Sequence, residues 1–261
     1  MTTQFNASDF TASKAKPLPV ILLLDTSGSM YGNKISSLND AVRKMLGTFT
    51  KEESQANEFL VSVITFGGTA SLACPPTPAS EIAYANLSAD GGTPLGAAID
   101  VAKSLIEDRE QTPGRAYRPL VVLVSDGVPT DSWEAKLDQF IHDGRSAKCD
   151  RMALGIGREA YEGQGRATLE RFTASTEHQV FEAKDAGEIH NFFKFVTMSV
   201  VTRGLSQDPN AIPKDLTLKP PTPPPATPEA ATSPAEPVAT PATPDPAPAP
   251  ASTTEDEDSY W

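Results

Sequence analysis

Asp25, Ser27 and Ser29 alternate with Thr26 and Gly28 directly after the apolar run Leu22-Leu23-Leu24. The run reads as a buried strand, so one carboxylate and two hydroxyls fall on a tight loop at a strand's carboxyl end. In open α/β sheets that edge is where ligands bind. Hard oxygen donors of this kind suit Mg²⁺ or Mn²⁺ rather than zinc. Two further places could join them. Asp90-Gly91-Gly92-Thr93-Pro94 is a glycine turn ending in a hydroxyl, and Ser125-Asp126-Gly127 follows the other fully apolar strand, Leu120 to Val124. If the two apolar strands are neighbours at a switch point, their loops meet.

The elements that would hold these loops are legible from periodicity. Val20 to Asp25 is a continuous apolar run, as in a parallel strand buried on both faces. Ile35, Leu38, Val42, Met45, Leu46 and Phe49 make one face of a helix. Glu58 to Phe66 is a second strand, Gly67-Gly68 a turn, and Thr69 to Cys74 an antiparallel return strand ended by Pro75, Pro76 and Pro78. Pro94 fits the first position of a helix with inner face Leu95, Ala98, Ile99, Ala102, Leu105 and Ile106. Asp131 and Glu134 resemble a capping box for a helix holding Trp133, Leu137, Phe140 and Ile141.

A strand at Met152–Ile156, a short helix around Leu169 and Phe172, a strand near Gln179–Phe181 and a final helix from Ile189 to Val200 complete the series. This alternation predicts an α/β fold: a doubly wound, mostly parallel six-stranded sheet with one antiparallel edge strand and helices on both faces.

The conjunction is similar to the metal-ion-dependent adhesion site of von Willebrand factor A domains, over roughly residues 17–202. That family places Asp-x-Ser-x-Ser, a distant Thr and a distant Asp around one divalent ion. The resemblance implies that Ser27, Ser29 and Thr93 offer hydroxyl ligands and that Asp25 and Asp126 mainly hold metal-bound waters. It implies Mg²⁺, with Mn²⁺ as the alternative, and a protein partner that supplies an Asp or Glu to the ion.

Within the family the stretches Leu22–Met30, Ser62–Phe66, Gly91–Gly96 and Asp126–Asp131 look most like bacterial tellurium-resistance TerY-like proteins. That likeness implies a bacterial stress-response or defence setting with a Ser/Thr kinase and a PP2C-type phosphatase. Taken singly, each residue also suits a cap or a turn: Ser27, Ser29 and Thr93 as helix caps, Asp25 and Asp126 as turn formers. A site that keeps the fold without holding metal is the bland alternative.

Composition narrows the remaining classes. The chain has 261 residues and a formal net charge of −12. Seven acids and no base lie in residues 220–261, so residues 1–219 carry −5. No basic patch points to nucleic acid or an anionic membrane. Two cysteines, Cys74 and Cys149, make no disulfide framework and read as buried thiols. The apolar run before Asp25 is too short for a signal-peptide core or a membrane span, and the expected location is the cytoplasm.

Other chemistry finds little footing. The sequence has no phosphate-binding Gly-x-x-x-x-Gly-Lys-Ser/Thr loop and no Gly-x-Ser-x-Gly elbow. Asp25-Thr26-Ser27 lacks the second Asp of a haloacid-dehalogenase phosphatase. Gly163-Gln164-Gly165 reads as a polar loop, and His142, His178 and His190 are scattered. Asp90 and Asp131 could serve beside the site, with capping the expected role of Asp131. The expectation is a metal-dependent protein-binding adaptor and no enzyme. A phosphate-ester hydrolase using the same ion is the alternative.

Three regions follow: a polar lead-in at 1–16, the domain at 17–203 and a tail at 204–261. Thirteen of the 24 prolines lie beyond residue 219. Such a tail cannot offset its ordering entropy and is expected to be disordered or extended. It carries five Ser/Thr-Pro pairs, at Thr222, Thr227, Ser233, Thr240 and Thr243. These are either a spacer or phosphorylation sites. The last residues, Glu255 to Trp261, form an acidic-aromatic group that could dock a partner or fold back on the domain's own ion.

Overall fold

A computed structural model describes residues 16–54, 57–206 and 210. The lead-in up to residue 15, and the tail expectations on the Ser/Thr-Pro pairs and on residues 255–261, lie outside the described residues.

Six strands form one sheet: β1 (Pro17–Asp25), β2 (Glu58–Gly67), β3 (Thr69–Pro78), β4 (Leu120–Ser125), β5 (Asp150–Ile156) and β6 (Val180–Ala183), in spatial order β3-β2-β1-β4-β5-β6. All neighbours are parallel except β2 and β3. β1 and β4 are direct neighbours, with Leu22 beside Val122 and Leu24 beside Val124. The winding reverses between them, which is the expected switch point.

Strand pleating sorts β1 into two cores. Leu18, Val20, Leu22 and Leu24 face one side, Ile21 and Leu23 the other. Against the first face pack α1 (Asn33–Glu52) and α6 (Ala186–Leu205), through Leu38, Val42, Phe49, Phe192, Phe193 and Val196. Against the second pack α2 (Leu95–Glu107), α3 (Glu134–His142), α4 (Arg158–Tyr161) and α5 (Gly163–Thr173). β1, β4 and β5 are buried along their whole lengths, as double-faced strands must be. Among the described residues no helix is long and apolar enough to cross a membrane.

Four local expectations need correction. β3 does not stop at Pro75 but runs to Pro78, with register irregularities where Val61, Val63 and Ile64 of β2 face it. It is the sheet edge, where prolines are tolerated because one side of the strand has no ladder to make. Pro94 is the residue before α2 rather than its first turn. Gly163-Gln164-Gly165 opens α5 instead of forming a loop, and Gly165 packs so closely that a Cβ there would lie 2.3 Å from the Glu159 carbonyl oxygen. Asp131 does not cap α3, whose start has no side-chain cap; it serves another helix, described below. Cys149 is buried and its thiol is pushed up to about 12 by that burial, whereas Cys74 is half-buried; both are free thiols.

Candidate metal centre

The loops after β1 and β2 meet a third that runs into the start of α2, and their main chains are bonded to one another. Thr26 N donates to Phe66 O (3.1 Å), Gly28 N to Gly91 O (2.9 Å), Gly68 N to Gly92 O (2.8 Å) and Asp90 N to Thr26 O (2.8 Å). This approach needs glycine. A Cβ on Gly67 would lie 2.2 Å from the Thr26 carbonyl oxygen, and one on Gly91 (φ +72°) would lie 2.5 Å from Gly68 Cα. The glycine turns thus bring the Thr93 loop onto the Asp25 loop, backbone against backbone.

Side chains then close a ring across β1 and β4. Asp25 Oδ1 accepts from Ser27 N (2.8 Å), and Asp25 Oδ2 accepts from Ser125 Oγ (2.6 Å). The Ser27 and Ser29 hydroxyls are 3.0 Å apart, and Ser29 Oγ donates to Asp126 Oδ1 (2.7 Å). Lys34 Nζ, on the first turn of α1, donates to Asp126 Oδ2 at 2.5 Å. Asp25, Ser27 and Asp126 are buried, with Asp25 at 0% and Asp126 at 1% exposure, while Ser29 is exposed. The ring is therefore open to solvent on the Ser29 side.

Four of the five expected residues, Asp25, Ser27, Ser29 and Asp126, share this one bonded network. Thr93 is buried at the same edge, but its main chain is tied elsewhere. Its N–H donates to Thr130 Oγ1 (3.0 Å), and Thr130 N–H donates to its carbonyl (2.9 Å). Asp131 completes that clamp by accepting from Gly96 N and Ala97 N, both at 3.0 Å. It caps α2 from the loop after β4, satisfying two of the orphan donors of the helix start. Gly96 is required there, since a Cβ would lie 2.8 Å from Trp133 Cα.

Sequence reading missed Ser125, Thr130 and Lys34, and misassigned Asp131. Only Ser125, adjoining Asp126 at a strand end, carried any signal. Asp90 does not enter the ring; its carboxylate accepts from the next N–H, that of Gly91.

The electrostatics favour a cation. Burial raises the Asp25 carboxyl above its ordinary range; hydrogen bonds from Ser125 and Ser27 work against this, and the Asp126 charge adds to it. Two buried carboxylates stand beside one ammonium, which is bonded to Asp126 alone, so by formal charge the carboxylates outnumber the cation. With hydroxyls of Ser27, Ser29 and Thr93 at the same edge, the donor set is all oxygen, which fits a hard divalent ion. Among the described residues no three His, Cys, Asp or Glu side chains converge, so a thiolate or imidazole site is not built.

Residues 20–128 match the family model described as the von Willebrand factor type A domain. Over 195 residues the chain is 25% identical to inter-alpha-trypsin inhibitor heavy chain H4 of Sus scrofa, covering 70% of this chain and 20% of that protein. It is 35% identical over 116 residues to the uncharacterized protein Rv2850c of Mycobacterium tuberculosis, covering 42% and 18%. The chain thus spans about a fifth of the length of these relatives.

Solved structures share the fold. A von Willebrand factor type A protein from Catenulispora acidiphila superposes with a TM-score of 0.55 at 19% identity, over 71% of this chain and 43% of that one. The pilus adhesin SpaC of Lactobacillus rhamnosus GG gives 0.57 at 15% identity, over 72% and 30%. Proximal thread matrix protein 1 of the mussel byssus, in a form with a zinc-occupied MIDAS motif, gives 0.52 at 16% identity, over 72% and 48%.

Proposed function

We propose, starting from a chain that holds a von Willebrand factor type A domain, that its carboxyl-edge ring binds a divalent ion and recruits a protein partner through it. One observation carries this reading: two buried carboxylates and a chain of hydroxyls are bonded into one network at the switch point, with a single ammonium against them. Ser27, Ser29 and Thr93 would hold the ion directly, and Asp25 and Asp126 through water. The ion, Mg²⁺ or Mn²⁺, would supply an electrophilic coordination position for an incoming Asp or Glu. The zinc-occupied motif in the mussel protein is a precedent for a divalent ion in this fold.

Because direct protein ligands are mostly neutral hydroxyls, the ion would keep most of its charge for the partner. The residues of this chain supply the rest: the ring fixes the oxygens, and the glycine-packed loops exclude rearrangement. The reading is of an adaptor, not an enzyme. In this reading both carboxylates serve the ion, which leaves neither assigned as a general base.

The finer setting follows from the TerY-like motifs: a bacterial stress or defence system in the cytoplasm, with a Ser/Thr kinase that phosphorylates the tail threonines and a PP2C-type phosphatase. Affinity capture from the host, run in Mg²⁺ and in EDTA with wild type and Asp25→Ala, tests the reading. A partner held by wild type in Mg²⁺ alone supports it. Partners indifferent to both changes would move the function off this edge. Phosphatase turnover lost in Asp25→Ala would favour the hydrolase instead, and an unmodified tail after co-expression with the kinase would remove phosphorylation.

A further inference from the structure

Lys34 is oddly placed for a helix residue. It lies in the first turn of α1, where the exposed N–H groups make the end partly positive and a cation is unfavourable. That turn has no acidic residue, and the residue before it, Gly32, offers no side-chain cap. The Lys34 side chain is 37% exposed, yet its ammonium reaches a carboxylate that is fully buried. Its head lies against the loop after β5, where a Cβ on Gly157 would be 3.7 Å from both Cε and Nζ. Nothing in helix energetics explains this arrangement; the charge of Asp126 does.

We propose that Lys34 is a built-in competitor for the divalent ion, because its ammonium and the ion claim the same buried Asp126 carboxylate. This rests on the metal-site reading above. Asp126 offers two oxygens, one taken by Ser29 and the other by Lys34. A 2+ ion beside that carboxylate repels a 1+ group bonded to it. Lysine can yield, since its flexible stem carries a compact, strongly hydrated head to solvent at small cost. Each ion bound therefore displaces Lys34 outward, and residue 34 sets how tightly the site holds metal. The same contact supports Asp126 when no ion is supplied, so removing the charge has opposite effects on affinity and on metal-free stability.

The test is titration of the full-length protein with Mn²⁺, followed by the electron paramagnetic resonance signal of the free ion, in wild type, Lys34→Met, Lys34→Gln, Lys34→Arg and Asp25→Ala. Loss of a half-exposed ion pair together with the ion's repulsion predicts that Lys34→Met and Lys34→Gln bind Mn²⁺ about fivefold tighter or more. Lys34→Arg stays within about twofold of wild type, and Asp25→Ala binds none.

In EDTA, Lys34→Met melts below wild type. If Lys34→Met does not fold, Lys34→Gln and Lys34→Arg carry the comparison. Loss of binding in Asp25→Ala, with neutral variants binding no tighter than wild type, would overturn the competitor and leave the metal site standing. Equal Mn²⁺ uptake by wild type, Asp25→Ala and the neutral variants would overturn both.

Discussion

Two buried aspartates sit at opposite ends of the same sheet and meet opposite fates. Asp25 closes β1 at the carboxyl edge; Asp150 opens β5 at the amino edge. Burial pushes both carboxyls up. At Asp150 the hydrogen bond and charge of His178, whose Nε2 lies 3.1 Å away, and the charge of Arg203 outweigh burial and hold it below its ordinary value. At Asp25 neutral hydroxyls and an N–H are the partners and Asp126 adds repulsion, so its carboxyl stays above its ordinary value. One end is compensated by the chain's own bases and is architecture. The other is left short of positive charge, which is what an ion site requires.

The contrast breaks most visibly if Asp150 is removed. Asp150→Ala removes the buried carboxylate that His178 Nε2 meets at 3.1 Å and the negative charge near Arg203, and should cost about 3–5 kcal/mol in denaturant unfolding. A loss below about 1 kcal/mol would mean that this end is not charge-compensated architecture. Asp131→Ala comes next. It strips two acceptors from the start of α2 and should cost about 1–2 kcal/mol. It should also weaken Mn²⁺ binding, because Thr93 rides on the same clamp; unchanged affinity would detach Thr93 from the site.

Asp25→Asn should go the other way in EDTA. It removes a buried charge that the chain does not balance, raising stability by about 1 kcal/mol, or about 2–4 °C in Tm for a domain of this size. A lower Tm would show Asp25 to be structural after all.

The smallest effect is in pH, and its sign differs between the two ends. A carboxyl held low when folded contributes stability above its unfolded value, near about 3.9, and loses it as pH falls through the folded value. Asp150 therefore stabilises the fold above about pH 4 and loses that contribution in acid, so the penalty of Asp150→Asn should shrink below about pH 4. A carboxyl held high contributes below its unfolded value and loses that contribution as pH rises through the folded one. In EDTA, the advantage of Asp25→Asn should thus grow as pH climbs above about 4. Urea titrations across pH, run on both variants, check the pair; parallel curves would erase the distinction.

How much of this was legible depends on range along the chain. The strands announced themselves because double-faced burial leaves long apolar runs such as Leu120–Val124, and the doubly wound, mostly parallel sheet followed from their alternation with helices. The Asp25 loop was legible because its donors are consecutive. Its partners were not. Asp131 sits three residues before Glu134 and so looks like a local cap, but its acceptors reach Gly96 and Ala97, more than thirty residues away in sequence. Lys34 looks like one more exposed helix lysine until β4 places Asp126 beside it. The edge position of β3 was legible from its glycine turn, but its length was not: prolines read as a stop, whereas an edge strand tolerates them and runs on to Pro78.

The central claim is that the negative charge left over at the Asp25–Asp126 edge is there to hold a divalent ion. Thermal unfolding of the full-length protein, with and without millimolar Mg²⁺ or Mn²⁺, measures it most directly when wild type is set beside Asp25→Asn. A ligand that binds the folded state raises Tm by mass action. The account predicts that wild type gains several degrees in either ion and that Asp25→Asn gains none. Equal shifts in the two proteins, or no shift in wild type, would contradict it.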